Sequence, residues 1–444
     1  MRIIAAGLNY KTAPVDIREK LALSEHEIAD MLAGLRGSKS ILEGVILSTC
    51  NRTEVYAVAE RREQFMLDLA YMMERKYGLS KEQFAASFYI HEDNAAVEHL
   101  FKVTSGLDSM VVGETQILGQ VRDAFLYSQS LPATGAVFNR LFKQAVTLAK
   151  RLHTETRIGQ KPVSVSYAAV ELAARKMGSL AGKRIVVVGA GHMSELAVKH
   201  MQARGADGIT VVNRSYHNAA QFAGRHGIAA SSWETLPELL SGAELVTAAT
   251  GAAEPVVSAA MLRTAKLNRS EPLLMIDMGV PRDIDPLADE LDGVTLVDID
   301  RLGAIVNENT DARAKEALKL TPVIQKERND FAQWMKELGV APAIAALREK
   351  ADAVRESAYQ DILKKLPELD ERERKVIGKL TKSIVNQLLR DPILNIKELA
   401  TERGGEDAIE AFTRIFGIED EAKRLAEPNA AESADGRDIR NAIA

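Results

Sequence analysis

The chain has 444 residues, 46% of them apolar and 27% charged, with a formal net charge of −5. That balance is ordinary for a globular protein and excludes an overall basic field for holding nucleic acid, so any such contact needs a local patch. No uncharged apolar run of about 18 residues exists to span a membrane, the N-terminus reads as a strand and not a secretory signal, and a single cysteine excludes an internal disulfide framework and fits a reducing, cytoplasmic setting.

At about 150 residues per domain the length suggests about three domains. The first, residues 1–156, mixes short strands with amphipathic helices. Arg2–Gly7 is apolar and β-prone. Ser24-Glu25-His26-Glu27 is a capping box, and Ile28, Met31, Leu32 and Leu35 follow at helical spacing. Val45–Leu47 is a second strand, and Glu54–Ala59 alternates as a half-buried third. Between these strands, LSTCNRTEVYAV sets the only cysteine, Cys50, on a tight polar connection.

A lone cysteine is commonly just a small buried hydrophobe. Here Ser48, Thr49, Asn51 and Thr53 cannot build an apolar pocket. Arg52, two residues on, would point to the same side of a strand, where its charge would favour the thiolate and hold a substrate carboxylate. Residue types alone leave both readings open. The stretch HLFKVTSGLDSMVVGETQILGQVRDAF, residues 99–125, poses a similar choice. His99 is of a kind usually satisfied in a core or on a surface. Ser109, Glu114, Thr115, Gln116 and Gln120 crowd an otherwise apolar frame; they either meet a polar substrate or form an N-cap at Gly113-Glu114 with a solvated helix face.

Residues 162–305 have the rhythm of a parallel α/β sheet. Ile185–Val188 leads into GAGHMS, then a helix stopped by Gly205, a strand at Ile209–Val212, and further apolar runs at Leu245–Ala249 and Leu273–Ile276. Gly189, Gly191 and Ser194 fit the glycine-rich turn that admits a pyrophosphate to a helix N-terminus. At the end of the second strand stand Asn213 and Arg214, where an NAD site would want a carboxylate. Arginine pairs with a 2′-phosphate, which favours NADP; a solvated surface arginine is the other reading.

Residues 307–420 are almost wholly helix-forming, with breaks expected at Pro322, Gly339, Pro342, Pro367 and Pro392. Charges of both signs along residues 311–336 predict a long solvated helix with one apolar stripe, which must bundle or pair with another chain. The polar tail, residues 427–444, reads as disordered. Pro162 and the segment near Asp300 are the candidate flex points. A thiol nucleophile and NADP have a natural joint chemistry, in which the thiol takes an activated acyl group and hydride reduces the thioester to an aldehyde. An NADP enzyme for a small ketone or alcohol, and a non-catalytic RNA-binding protein on a Rossmann scaffold, are the rival readings.

The segments STCNRTEVYAV, HLFKVTSGLDSMVVGETQILGQV, VSVSYAAVELA, VVVGAGHMSELA, VVNRS, IDMGVPRDIDP and TKSIVNQLLRDPI, in this order from about residue 3 to residue 417, resemble the signature segments of the glutamyl-tRNA reductase family. The resemblance implies an N-terminal α+β catalytic domain, an NADP-binding Rossmann domain and a C-terminal helical dimerisation domain joined by a long helix, in a V-shaped homodimer. It implies reduction of glutamyl-tRNA by NADPH to glutamate-1-semialdehyde, the first committed step of tetrapyrrole synthesis. Carried over motif by motif, Cys50 would be the nucleophile and His99 a residue important for activity near the thiol. Thr49, Cys50, Asn51, Arg52, Ser109, Glu114, Thr115, Gln116 and Gln120 would hold the glutamyl group. Gly189, Ala190, Gly191, His192, Met193 and Ser194 would bind NADPH beside Asn213 and Arg214, with no role given to the His192 side chain. The tRNA partner, and hand-over of the aldehyde to glutamate-1-semialdehyde aminomutase, rest on the resemblance alone.

Overall fold

The structure, a computed structural model, describes residues 1–156, 164–266, 272–302, 311–401 and 405–426. The expected tail, the Pro162 flex point and the domain boundaries at 157–163 and 303–310 lie outside the described residues. The chain divides into two compact units, Met1–Glu327 and Arg328–Ala444.

The first unit begins with an antiparallel sheet. Its strands are β1 (Arg2–Asn9), β2 (Glu43–Ser48), β3 (Arg52–Ala59) and β4 (Tyr89–Glu92), in the order β2-β3-β1-β4. The helix α1 (Val15–Lys20) follows β1, and α2 (Glu25–Gly37) starts at the expected capping box: Ser24 accepts from the Glu27 amide and Glu27 from that of Ser24. Strand β3 was expected to be half-buried, yet all eight of its residues are buried. It pairs on both edges, with β1 and with β2. On one face Val55, Ala57 and Ala59 join a core with Met31, Leu35, Phe65 and Leu69. On the other, the Tyr56 ring meets Phe142 edge-on. A strand covered on both faces loses the alternation that exposure would impose.

The helices α3 (Arg62–Tyr77), α4 (Lys81–Ser87), α5 (Asn94–Thr104), α6 (Gln116–Ser130) and α7 (Ala136–Glu155) complete this part. After α8 (Val165–Met177) comes a six-stranded sheet of β5 (Ile185–Val188), β6 (Ile209–Val212), β7 (Ala229–Ser231), β8 (Leu245–Ala248), β9 (Leu273–Asp277) and β10 (Val294–Val297). Every pairing is parallel, in the order β10-β9-β8-β5-β6-β7. The order reverses beside β5, the switch point where doubly wound sheets bind ligands. Ile185 and Val187 face a core with α8 and α9 (His192–Ala203), whereas Val186 and Val188 face one with α11 (Leu236–Gly242) and α12 (Ala259–Lys266). Helix α10 (Tyr216–His226) packs on the α9 side through Ala219 and Phe222.

In the second part of the chain a helix runs from Asp311 to Lys365, followed by helices Glu371–Thr401, Gly405–Phe416 and Glu419–Ala426. Of the expected breaks only Pro367 falls between helices; Pro322, Gly339 and Pro342 lie within the first helix and Pro392 within the second. An internal proline forfeits one backbone bond and kinks the chain, and flanking turns and packing can carry the helix through it. Val340, Ile344, Leu347, Ile393, Ile396 and Phe412 form the core of the second unit. Among the described residues no helix is long and apolar enough to cross a membrane, and no His, Cys, Asp and Glu cluster could hold a metal ion.

Candidate active site

The connection between β2 and β3 is a four-residue turn, since Ser48 and Thr53 are the last paired positions. The Thr49 amide donates to the Arg52 carbonyl at 2.8 Å, and its hydroxyl oxygen accepts from the Asn51 and Arg52 amides at 3.2 Å each. The turn is stitched by its own first residue, which is why a polar sequence folds here. Cys50 at its tip is a free thiol, half-buried.

Its environment comes from both domains of the first unit. Thr49, Cys50, Asn51 and Arg52 line a cavity of about 20 Å³ together with Ser109, Glu114, Gln116 and Gln120, all expected from the sequence. Ile117, Val165 and Met193 close it. Met193 lies in the first turn of α9, so the glycine-rich end of the dinucleotide-binding domain rests directly over the thiol, and Cys50 packs against that domain's core. A cavity of this size holds about one water molecule. Thr115 is exposed and does not line it.

Arg52 does pull toward the thiolate, as expected, and so does Arg18, but burial, reinforced by Glu114, outweighs them and pushes the Cys50 thiol up to about 12. Much of the Arg52 charge is spent elsewhere: Nη1 donates to Glu54 Oε1 at 2.6 Å, and the guanidinium also bonds Asp108 Oδ2 at 3.2 Å. His99, expected near the thiol, is not among the residues lining this cavity, and its Nε2 is 2.9 Å from Glu54 Oε1. Tyr56 and Tyr89 donate to the same carboxylate. Burial alone would raise the Glu54 carboxyl, but Arg52 and His99 beside it hold it well below the usual carboxylate range. Glu54 thus links His99 to Arg52, which borders the cavity.

Glu114 differs. It is buried, and burial pushes its carboxyl up to about 7, with Arg52 pulling the other way. Its position is set by Gly106, whose φ of +71° suits glycine and where an added Cβ would come within 2.6 Å of the Glu114 carbonyl oxygen. The Gly113 amide closes the loop onto the Gly106 carbonyl at 2.8 Å.

Sequence reasoning missed Arg18, Glu54, Asp108 and Arg282. Arg18 donates to the Cys50 carbonyl at 2.7 Å and pairs with Asp300 of the dinucleotide-binding domain. Arg282 Nε donates to Glu19 Oε1 at 2.8 Å and its guanidinium also pairs with Asp16, so both faces of α1 are tied to that domain. A charged residue at an interior position of an apolar strand, as Glu54 is within TEVYAVA, was the one available signal; the others depend on contacts distant in sequence.

The glycine-rich turn fits a dinucleotide. Gly189 has φ of +105°, and a Cβ there would come 2.4 Å from the Ala249 carbonyl oxygen. Gly191 caps α9 without a side-chain bond, leaving the first amides of the helix for a ligand. Ser194 is wholly buried in the first turn of α9, with its hydroxyl unpartnered. Asn213 Nδ2 donates to the Ser215 carbonyl at 3.2 Å, and Arg214 is exposed and forms no salt bridge among the described residues.

An antiparallel α+β domain holding a thiol against the glycine-rich end of a doubly wound sheet defines a thiol-bearing oxidoreductase of the dinucleotide-binding class. Residues 6–156 match the glutamyl-tRNA reductase N-terminal domain, residues 171–305 the shikimate/quinate 5-dehydrogenase domain, and residues 319–418 the glutamyl-tRNA reductase dimerisation domain. The chain belongs to the glutamyl-tRNA reductase family: the enzyme of that name from Priestia megaterium is 49% identical over 422 residues, spanning 95% of each chain. That from Bacillus subtilis is 47% identical over 425 residues, covering 96% of this chain and 93% of the other. A solved structure, glutamyl-tRNA reductase from Methanopyrus kandleri, is 29% identical with a TM-score of 0.51, over 94% of this chain and 99% of that one.

Proposed function

We propose that this protein reduces glutamyl-tRNA to glutamate-1-semialdehyde with NADPH through a thioester on Cys50, as a homodimer. The observation that carries the reading is that one free thiol and the first turn of the dinucleotide-binding helix line the same cavity. Cys50 attacks the acyl carbon of the aminoacyl ester, and the ribose oxygen of the tRNA leaves. Arg52, kept in place by Glu54 and Asp108, still borders the cavity and offers a positive charge to the glutamyl carboxylate. Ser109, Gln116 and Gln120 supply hydrogen-bonding groups around the substrate, and His99 positions Arg52 through Glu54. Residues 189–194 and Arg214 would hold NADPH, which would supply the hydride. Met193 and Val165 exclude water, which would otherwise hydrolyse the thioester. A reactive aldehyde product suits direct transfer to glutamate-1-semialdehyde aminomutase.

The test is incubation with glutamate-labelled glutamyl-tRNA without NADPH. Label should accumulate on Cys50 in the wild type and be absent from Cys50→Ser, which keeps its affinity for NADPH. An unlabelled wild type, or turnover by the serine variant, rejects the covalent route. For the cofactor, a bidentate contact to phosphate is worth about 1.5–3 kcal/mol, so Arg214→Asp should weaken NADPH roughly tenfold to a hundredfold more than NADH. Equal losses for both nucleotides refute the 2′-phosphate contact.

A further inference from the structure

A thiol must lose its proton to attack, and the cavity offers few places to put it. Among the described lining residues, the ionisable side chains other than Cys50 are Arg52 and Glu114. Arg52 is bound into Glu54 and Asp108 and stays charged. His99, the residue type one would expect as base, bonds Glu54 outside the cavity. Glu114 is buried beside the thiol, on a loop clamped by the close approach of Gly106.

We propose that Glu114 is the general base of acylation, a catalytic residue within the thioester route proposed above and dependent on that route. Its carboxylate takes the Sγ proton as the S–C bond forms at the acyl carbon. The acyl C–O bond then breaks, and the same proton passes from Glu114 to the departing ribose oxygen, so the enzyme is left acylated and its carboxylate restored. Burial serves both partners. It keeps the thiol protonated until substrate arrives, and it brings Glu114 up to about 7, where the carboxyl is basic enough to act and still ionised at slightly alkaline pH. The charged groups facing this pair are Arg52 toward Glu114, and Arg18 and Arg52 toward Cys50. The facing residues of α8 and α9, Val165 and Met193, do not titrate.

The experiment compares two reactions of the same sulfur in the full-length enzyme: single-turnover acylation by saturating glutamyl-tRNA without NADPH, and alkylation by iodoacetamide, each from pH 6 to 9. In the wild type acylation should rise with pH through about 7. In Glu114→Gln it should fall about a hundredfold or more and lose that rise, the range expected for a missing general base, and Glu114→Asp should recover part of it. Alkylation of Glu114→Gln should hold or speed up, because removing the neighbouring negative charge makes the thiol more acidic. Acylation within threefold of wild type overturns the proposal and leaves Glu114 a binding residue. A parallel fall in both reactions overturns it in favour of a structural role. A wild type that never acquires the acyl group rejects the thioester route itself, before Glu114 is in question.

Discussion

Glu54 gathers four donors, from Arg52, Tyr56, Tyr89 and His99, around one carboxylate with no solvent exposure. Removing a buried counter-charge leaves its partner unpaired, which costs about 3–5 kcal/mol. Glu54→Gln should therefore lose stability on that order in denaturant unfolding at pH 7; a loss below 1 kcal/mol would mean that water or Asp108 replaces the pairing. The sign with pH follows from the depressed carboxyl. Its contribution is full above the unfolded value near pH 4–5 and declines as pH falls toward the folded one, so the variant's deficit should shrink in acid. At this scale the sequence was half legible. Cys50 and its polar turn could be read from neighbours, because a β-turn is local chemistry. The allegiance of Arg52 could not, because Asp108, its second partner, is 56 positions away.

Among the elements, β5, β6, β8 and β9 were readable as apolar runs because central parallel strands are buried on both faces. The edge strands are harder to read: β7 is only Ala-Ala-Ser, and β10, Val-Thr-Leu-Val, is as apolar as β6 but not buried at its first two residues. The internal prolines misled for the opposite reason: local propensity spoke for a break, and the surrounding helix overrode it. Helix α1 is the element with the clearest dynamic consequence. Its Asp16, Arg18 and Glu19 reach Arg282 and Asp300, fastening the dinucleotide-binding domain over the thiol. The two ion pairs on Arg282, partly shielded from water, amount to about 1–2 kcal/mol. Arg282→Ala should accordingly raise the rate at which a bulky maleimide labels Cys50 by roughly tenfold. An unchanged rate would show that apolar packing through Met193 and Val165 holds the closure alone.

For the whole molecule, the helix Glu371–Thr401 leaves Val376, Leu380, Ile384 and Leu388 exposed at 48–70% in the single chain. Repeating every fourth residue, they form one apolar stripe on a helix whose other side packs Ile393 and Ile396 into the second unit's core. The region matches a dimerisation domain, and such a stripe is what a two-fold partner covers. The double variant Leu380→Glu, Leu388→Glu should elute as a monomer in light-scattering chromatography while the circular-dichroism helix signal is kept; a persisting dimer would move the interface elsewhere.

The smallness of the cavity over Cys50 bears on how a cell keeps such an enzyme intact. Peroxides attack sulfur as its anion, and here burial disfavours the anion and Val165 and Met193 narrow the approach. The chain has no second cysteine with which to repair a sulfenic acid by internal exchange. A protonated, covered sulfur is the form that such oxidants attack least.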